Sequence, residues 1–126
     1  MIRRGAGSIV NITAGAGAST PGSNYPGMLA YAVSKAALNR LSHFMAAELK
    51  PHDIAVNSLS PGMVMSESAL ADRPEAVSAG THKPATPEVL GPALLYLARQ
   101  TAHTLTGQVL HTDEFQKSWP TGAAIS

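Results

Sequence analysis

Residues 54–62 have the sequence IAVNSLSPG, a short apolar run that ends in a proline and a glycine. Apolar and polar residues do not alternate cleanly along this run, which is typical of a strand that is buried on both faces. Pro61 and Gly62 are turn residues and end the strand. A strand buried in this way predicts a parallel sheet that is covered by helices on both sides.

The segments on either side of this strand complete an α/β pattern. A similar apolar run at 8–13 predicts an earlier strand, and 29–49 repeats apolar residues near the helical period until Pro51 ends the helix. A second helix is predicted from Thr86 to about Gln100, with an apolar face of Val89, Leu90, Leu94, Leu95 and Leu97. Its Pro92 must lie in the first turn or bend the helix.

A third strand is predicted at 106–111, which completes the order strand, helix, strand, helix, strand. Three strands and two long helices make a thin parallel sheet, so the pattern indicates one half of a larger α/β fold. We treat 1–126 as a single partial domain and expect a weakly ordered tail at 114–126.

Composition excludes several classes of function. The chain has 126 residues, a net charge of +1 and no cysteine, which rules out disulfides and thiolate chemistry. The flat charge balance argues against nucleic acid and membrane surfaces as partners, and the scattered histidines do not predict a metal site. No membrane span or signal peptide is predicted, so we expect a cytoplasmic protein. Charged residues make up only 13% of the chain, which hints that more protein covers part of its surface.

Tyr31 and Lys35 are four residues apart at the start of the long helix, so both side chains lie on one helical face. The ordinary pKa of a tyrosine phenol is about 10, and a neighbouring ammonium lowers such a pKa because it favours the phenolate. Such a pair can act as a general acid and base. Pro61 and Gly62 follow one buried strand and Thr13 ends another, so these segments deliver polar groups to the sheet edge where α/β proteins bind ligands.

Four segments in this order resemble the short-chain dehydrogenase/reductase family. They are GSIVNI at 7–12, YAVSKAAL at 31–38, VNSLSPG at 56–62, and TGQVL at 106–110 followed by Asp113. The resemblance covers roughly residues 5–113 and implies the C-terminal half of a doubly wound parallel, Rossmann-like sheet in three αβα layers. It also implies hydride transfer between NAD or NADP and an alcohol or carbonyl substrate.

The resemblance implies a role for each matching residue. Tyr31 matches the catalytic acid/base, and Lys35 matches the lysine that assists it and holds the nicotinamide ribose. Further cofactor-binding positions match Pro61, Gly62, Val64 and Ser66.

The sequence also departs from the family pattern. Ala14 occupies the position of the family's serine, so Thr13, Ser19 and Ser23 are candidates for the missing hydroxyl, and we name Thr13 as the catalytic candidate. The family's glycine-rich phosphate loop would precede the part seen here. We interpret Gly15-Ala16-Gly17 as a source of loop flexibility and not as that loop.

Two functions therefore stay open. The chain is part of an NAD(P)-dependent oxidoreductase, or it is a catalytically incomplete fragment or pseudoenzyme that acts only through assembly. Family members commonly pair the long helix with its copy, and the helix is rich in alanines that permit close approach, so we expect a homo-oligomer. A hydrolase is disfavoured because the chain contains no G-x-S-x-G motif.

Overall fold

The computed structural model describes residues 1–18, 26–65, 67–72 and 85–120. Within them lie three strands: β1 (Gly7–Ile12), β2 (Ile54–Ser60) and β3 (Val109–His111). The α-helices are α1 (Leu29–Leu49), α2 (Glu67–Asp72) and α3 (Gly91–Ala98). Short 3-10 turns occupy Ile2–Arg4, Gly15–Gly17, Lys50–His52, Pro87–Leu90 and Thr112–Glu114. No helix in these described ranges has the length and apolar character needed to cross a bilayer.

The described strands form one parallel sheet in the order β1-β2-β3. Strand β2 lies in the middle, pairing with β1 from Gly7↔Ile54 to Ile12↔Leu59. It pairs with β3 from Ser58↔Val109 to Ser60↔His111. Every residue of β2 is buried, because neighbours flank it on both edges and helices cover both faces. The predicted parallel α/β sheet is confirmed.

Helices α1 and α3 lie on opposite faces of the sheet and so produce the predicted αβα layers. Helix α1 packs against Ile9, Ile54 and Val56 through Met45, Ala46 and Leu49. Ala93 and Leu97 of α3 pack with Val10, Leu59, Leu105 and Leu110. Neighbouring residues of a strand point to opposite faces of the sheet, so Ile9 packs on the side of α1 and Val10 on the side of α3.

The second long helix differs from its prediction. Residues Pro87–Leu90 form a 3-10 turn and only Gly91–Ala98 are α-helical, with Pro92 in the first turn. Val89 and Leu95, predicted on the apolar face, are exposed, whereas Leu97 is buried. The prediction failed here because the turn before Gly91 changes the angular position of Val89 relative to the α-helical residues.

The third strand is shorter than predicted. It begins at Val109 because Gly107 adopts a left-handed conformation with φ of 73° and interrupts the extended chain. Thr106 and Gly107 still bind β2, since the Gly107 N–H donates to the Val56 carbonyl at 2.8 Å and the Val56 N–H donates to Thr106 Oγ1 at 2.9 Å.

Residues 114–120 contribute two aromatic side chains to a cluster on α3. Tyr96, Phe115 and Trp119 meet edge to face, with ring centroids 4.9–6.0 Å apart. The Trp119 indole N–H donates to the His111 carbonyl at 2.7 Å. These contacts hold the first part of the predicted tail, and residues 121–126 lie outside the described residues.

Thr86 stands at the predicted N-cap position, but its hydroxyl makes no capping hydrogen bond. It is instead hydrogen-bonded to the carboxylate of Glu88. Two hydrogen bonds hold the pKa of Glu88 below its ordinary value of 4.5. The bond with Thr86 has the larger effect, and the bond from the Glu88 backbone has the smaller one. The sequence pattern therefore located the start of the turn and missed the partner of the hydroxyl.

We expect Thr86→Val to raise the pKa of the Glu88 carboxyl, because the substitution removes the hydroxyl that stabilises the carboxylate. Since the folded-state pKa is lowered, Glu88 adds stability above the ordinary carboxyl pKa and loses it as pH falls through the folded value. An NMR pH titration of the Glu88 side chain measures the shift. Thr86→Ser keeps the hydroxyl and should keep the low pKa; an unchanged value in Thr86→Val would contradict the assignment.

Candidate active site

The carboxyl ends of β1 and β2 lie side by side, as their parallel pairing requires. Ile12 pairs with Leu59, and the Thr13 N–H continues the ladder by donating to the Leu59 carbonyl at 2.9 Å. The chain then leaves β1 into the Gly15–Gly17 turn and leaves β2 into Pro61 and Gly62. Two loops therefore open at one edge of the sheet, which is where α/β folds bind ligands.

Lys35 connects α1 to this edge. Its Nζ donates a hydrogen bond of 2.9 Å to the carbonyl oxygen of Ile12, the last residue of β1. The bond fixes the position of the ammonium while leaving donors for another group, because a lysine carries three N–H bonds.

Tyr31 lies one helical turn before Lys35 and on the same face, as the spacing predicts. The Lys35 Nζ is 5.6 Å from the centroid of the Tyr31 ring. Tyr31 is 43% exposed, so a small molecule can reach its ring from solvent. The ammonium lies over the face of the Tyr31 ring, in a cation–π arrangement.

Thr13 faces the helix. It is only 1% exposed, and its hydroxyl donates to the backbone carbonyl of Lys35 at 3.5 Å. In this arrangement the hydroxyl supports α1 at the turn that carries Lys35. Neither this contact nor this burial supports the catalytic role predicted for Thr13, and that role stays a prediction.

Gly17 has a role different from the flexibility that its sequence suggests. It is buried, and a Cβ atom placed on it would lie 2.7–2.8 Å from the Lys35 backbone carbon, the Ala36 nitrogen and the Lys35 Cβ. The glycine permits close packing of the turn against α1. The same packing makes the Gly15–Gly17 turn unsuitable as a phosphate loop, since α1 occupies one side of it.

The loop after β2 provides an open backbone turn. Gly62 has φ of 75°, a left-handed conformation that favours glycine, and nothing lies within 4 Å of the position that its Cβ would take. The Val64 N–H donates to the Gly62 carbonyl at 3.1 Å, and Val64 forms a parallel bridge with Ala85. The turn is thus held in place by a neighbouring segment. Three other predicted residues, Ser66, Ser19 and Ser23, lie outside the described residues.

Sequence reasoning missed a buried chain of polar groups beneath the site. Asn11 Nδ2 donates to Ser42 Oγ at 2.9 Å, Ser58 Oγ donates to Ser42 Oγ at 2.8 Å, and Ser42 Oγ donates to the Leu38 carbonyl at 2.8 Å. The available signal was the position of Ser42, seven residues after Lys35 and therefore on the same helical face. This network joins both strands to α1, so it helps to fix the helix that carries the Tyr31–Lys35 pair.

Asn57 is the second missed residue. Its side chain, buried within β2, donates to the Leu105 carbonyl at 3.0 Å and accepts the Gln108 N–H at 3.1 Å. The signal was an amide side chain inside a strand that the sequence predicts to be buried on both faces. Asn57 thereby secures the segment that leads into β3.

The parallel sheet and the position of its helices define one part of a Rossmann-like α/β domain. Comparison with known proteins gives its family. The family model described as Enoyl-(Acyl carrier protein) reductase matches residues 1–114. Nodulation protein G of Rhizobium meliloti is 34% identical over 120 residues, covering 90% of this chain and 46% of the relative. Galactitol 2-dehydrogenase of Cereibacter sphaeroides is 32% identical, covering 94% of this chain and 49% of the relative.

Comparison with solved structures gives the same family. A short chain dehydrogenase/reductase family protein, 36% identical, superposes with a TM-score of 0.73 over 88% of this chain and 46% of its own. A relative from Beutenbergia cavernae that holds NADP at low occupancy is 29% identical, with a TM-score of 0.70 over 89% of this chain and 46% of its own. The chain belongs to the short-chain dehydrogenase/reductase family. It spans about half the length of the relatives it matches.

Proposed function

We propose that this chain forms the proton-transfer side of an NAD(P)-dependent oxidoreductase that interconverts a small alcohol and its carbonyl compound. The observation that carries the proposal is the Tyr31–Lys35 pair at the sheet edge, with the ammonium held by Ile12 and 5.6 Å from the ring centroid. Two relatives carry names of this chemistry, galactitol 2-dehydrogenase and, from Sus scrofa, carbonyl reductase [NADPH] 2.

The described residues fit the nicotinamide end of NAD or NADP. Lys35 offers donors that can bind the ribose hydroxyls, and the open turn at Gly62 leaves room for a flat ring to approach the backbone. Pro61 and Val64 border that turn, and Ser66 follows it in the sequence. The Gly15–Gly17 turn does not fit the pyrophosphate, because it packs against α1. We therefore assign only the nicotinamide end to these residues.

Tyr31 performs the proton transfer in this proposal. In the oxidative direction the Tyr31 oxygen would take the proton of the substrate hydroxyl, while the carbonyl double bond forms and a hydride leaves the same carbon. In reduction the phenol returns the proton to the carbonyl oxygen. Lys35 stabilises the negative charge on the Tyr31 oxygen and keeps its own position through the Ile12 carbonyl. A bound nicotinamide would supply the chemistry that accepts or delivers this hydride.

The position that the family's serine occupies is Ala14 in this chain, so it supplies no hydroxyl to the site. Thr13, the candidate replacement, donates to α1. We propose that Thr13 contributes by supporting the Lys35 turn and that Tyr31 polarises the substrate oxygen without a second hydroxyl.

We expect the chain to bind NADH or NADPH, measured by calorimetry or by fluorescence of the reduced nicotinamide. Where turnover is measurable, Tyr31→Phe should lower kcat by roughly 10²–10⁴-fold, the contribution typical of a general acid or base, while leaving binding unchanged. Lys35→Ala should weaken both binding and turnover, because it removes a ribose donor and the charge beside Tyr31.

Tyr96→Phe and Lys50→Ala are the matched controls, since both residues lie outside the site. Equal turnover by the wild type and Tyr31→Phe would show that the activity arises elsewhere. Absence of binding at millimolar cofactor would favour the alternative, an incomplete enzyme that acts only through assembly.

A second observation supports homo-oligomer assembly. The outer face of α1 carries an exposed apolar stripe, which we call the α1 stripe, consisting of Leu29, Val33, Leu41 and Phe44. Ala37 lies within the stripe and is also exposed, so a second helix can approach closely. The apolar repeat that predicts the helix at 29–49 therefore includes residues that face outward, away from the sheet. We propose that the stripe packs against its copy in a neighbouring subunit, in the cytoplasm.

Light scattering should show a dimer or a tetramer for the wild-type chain. The double substitution Val33→Glu and Leu41→Glu should dissociate it, because like charges would face each other across a desolvated interface. Leu95→Glu, at an exposed leucine of α3, should leave the assembly intact. A wild-type monomer at all concentrations would contradict this proposal without affecting the assignment of Tyr31 and Lys35.

A further inference from the structure

The Gly15–Gly17 turn presses directly on the part of α1 that carries Lys35. The three atoms nearest to a Cβ on Gly17 would be the Lys35 backbone carbon at 2.7 Å, the Ala36 nitrogen at 2.8 Å and the Lys35 Cβ at 2.8 Å. Two of these are backbone atoms of a helix, which cannot rotate away as a flexible side chain can. Any larger residue at 17 must therefore displace either the turn or the helix at Lys35.

Further hydrogen bonds connect the same two pieces of chain on either side of this contact. Asn39 Nδ2, one turn after Lys35, donates to the Gly17 carbonyl at 3.4 Å. Thr13 Oγ1 donates to the Lys35 carbonyl at 3.5 Å, and Lys35 Nζ donates to the Ile12 carbonyl at 2.9 Å. The segment from Ile12 to Gly17 therefore contacts α1 around Lys35 from several directions.

We propose that Gly17 is a positioning residue whose missing side chain sets the separation between α1 and the end of β1, and thereby places the Lys35 ammonium on Ile12 and beside Tyr31. Asn39 secures this separation through the Gly17 carbonyl. The inference rests on the proposed function for its catalytic meaning, but its structural content is independent of turnover.

Gly15 provides a matched control within the same turn. Nothing lies within 4 Å of the position that its Cβ would take, and its backbone is not in the left-handed region. Gly15→Ala and Gly17→Ala therefore add the same methyl group two residues apart, one into open space and the other onto Lys35.

The experiment is NMR detection of the lysine ammonium groups in the full chain, at low temperature and mildly acidic pH. A hydrogen-bonded ammonium exchanges its protons with water more slowly than a free one, so Lys35 should give a resolved signal. Lys50→Ala and Lys35→Met samples assign it. We expect the signal in the wild type and Gly15→Ala, and its loss in Gly17→Ala while circular dichroism shows a folded protein.

Asn39→Ala keeps the test decisive if Gly17→Ala does not fold. Asn39 Oδ1 is buried and lacks a hydrogen-bond partner within the described part of the chain. Removing this unpaired oxygen, together with the higher helix propensity of alanine, offsets the loss of the 3.4 Å bond to the Gly17 carbonyl, so thermal stability should stay close to that of the wild type. We expect the Lys35 ammonium protons nevertheless to exchange faster, by roughly threefold, as the loss of a modest hydrogen bond implies.

Faster exchange without lower stability is a combination that a purely structural role does not produce. Persistence of the Lys35 signal in a folded Gly17→Ala, or unchanged exchange in Asn39→Ala, would overturn the inference. Its failure is distinguishable from failure of the proposed function. Absence of cofactor binding alongside the expected exchange results would reject the oxidoreductase and retain the positioning role.

Discussion

The hydrogen bond from Lys35 Nζ to the carbonyl oxygen of Ile12 connects the two elements on which the site depends. The carbonyl is the last in β1, and the ammonium belongs to the second turn of α1. Because β1 and β2 are parallel and paired as far as Ile12↔Leu59, fixing α1 to the end of β1 also fixes it relative to the loop at Gly62. Tyr31 lies one turn earlier in the same helix, so it is held near the same edge of the sheet. One charge-assisted hydrogen bond between α1 and the parallel sheet therefore holds the parts of the site together.

A layer of buried polar side chains lies between the strands and α1, near the Lys35–Ile12 hydrogen bond. Asn11, Ser42 and Ser58 satisfy one another between the strands and α1. Buried polar groups are tolerated when all of them are paired, and a paired network favours one registry of helix against strand. The Gly17 contact adds a steric limit to this registry. Apolar packing by Ile9, Ala46 and Val56 supplies burial, while the polar and steric contacts determine where Lys35 stands.

The sequence was sufficient to predict the strand and helix order, the parallel sheet and the common face of Tyr31 and Lys35, because periodicity and spacing are local properties. It did not predict the start of β3 at Val109, since the left-handed Gly107 depends on contacts with β2. Val89 was misplaced because it belongs to a 3-10 turn, which changes its angular position. Leu95 was misplaced because it lies on the side of α3 opposite to the buried Ala93 and Leu97. The orientation of Thr13 and the close packing of Gly17 also depend on tertiary contacts. Glycine in sequence suggests flexibility, whereas here its small size permits packing.

The most direct test of the site at Tyr31 and Lys35 is to titrate NADPH into the ¹⁵N-labelled chain and map the changes in amide chemical shift. We expect shifts concentrated at the end of β1, on the turn from Tyr31 to Lys35, and at Gly62 and Val64. A separate open apolar pocket is lined by Met1, Ile2 and Ile9 near the start of the chain. Shifts concentrated at that pocket, or no shifts at millimolar nucleotide, would contradict this site.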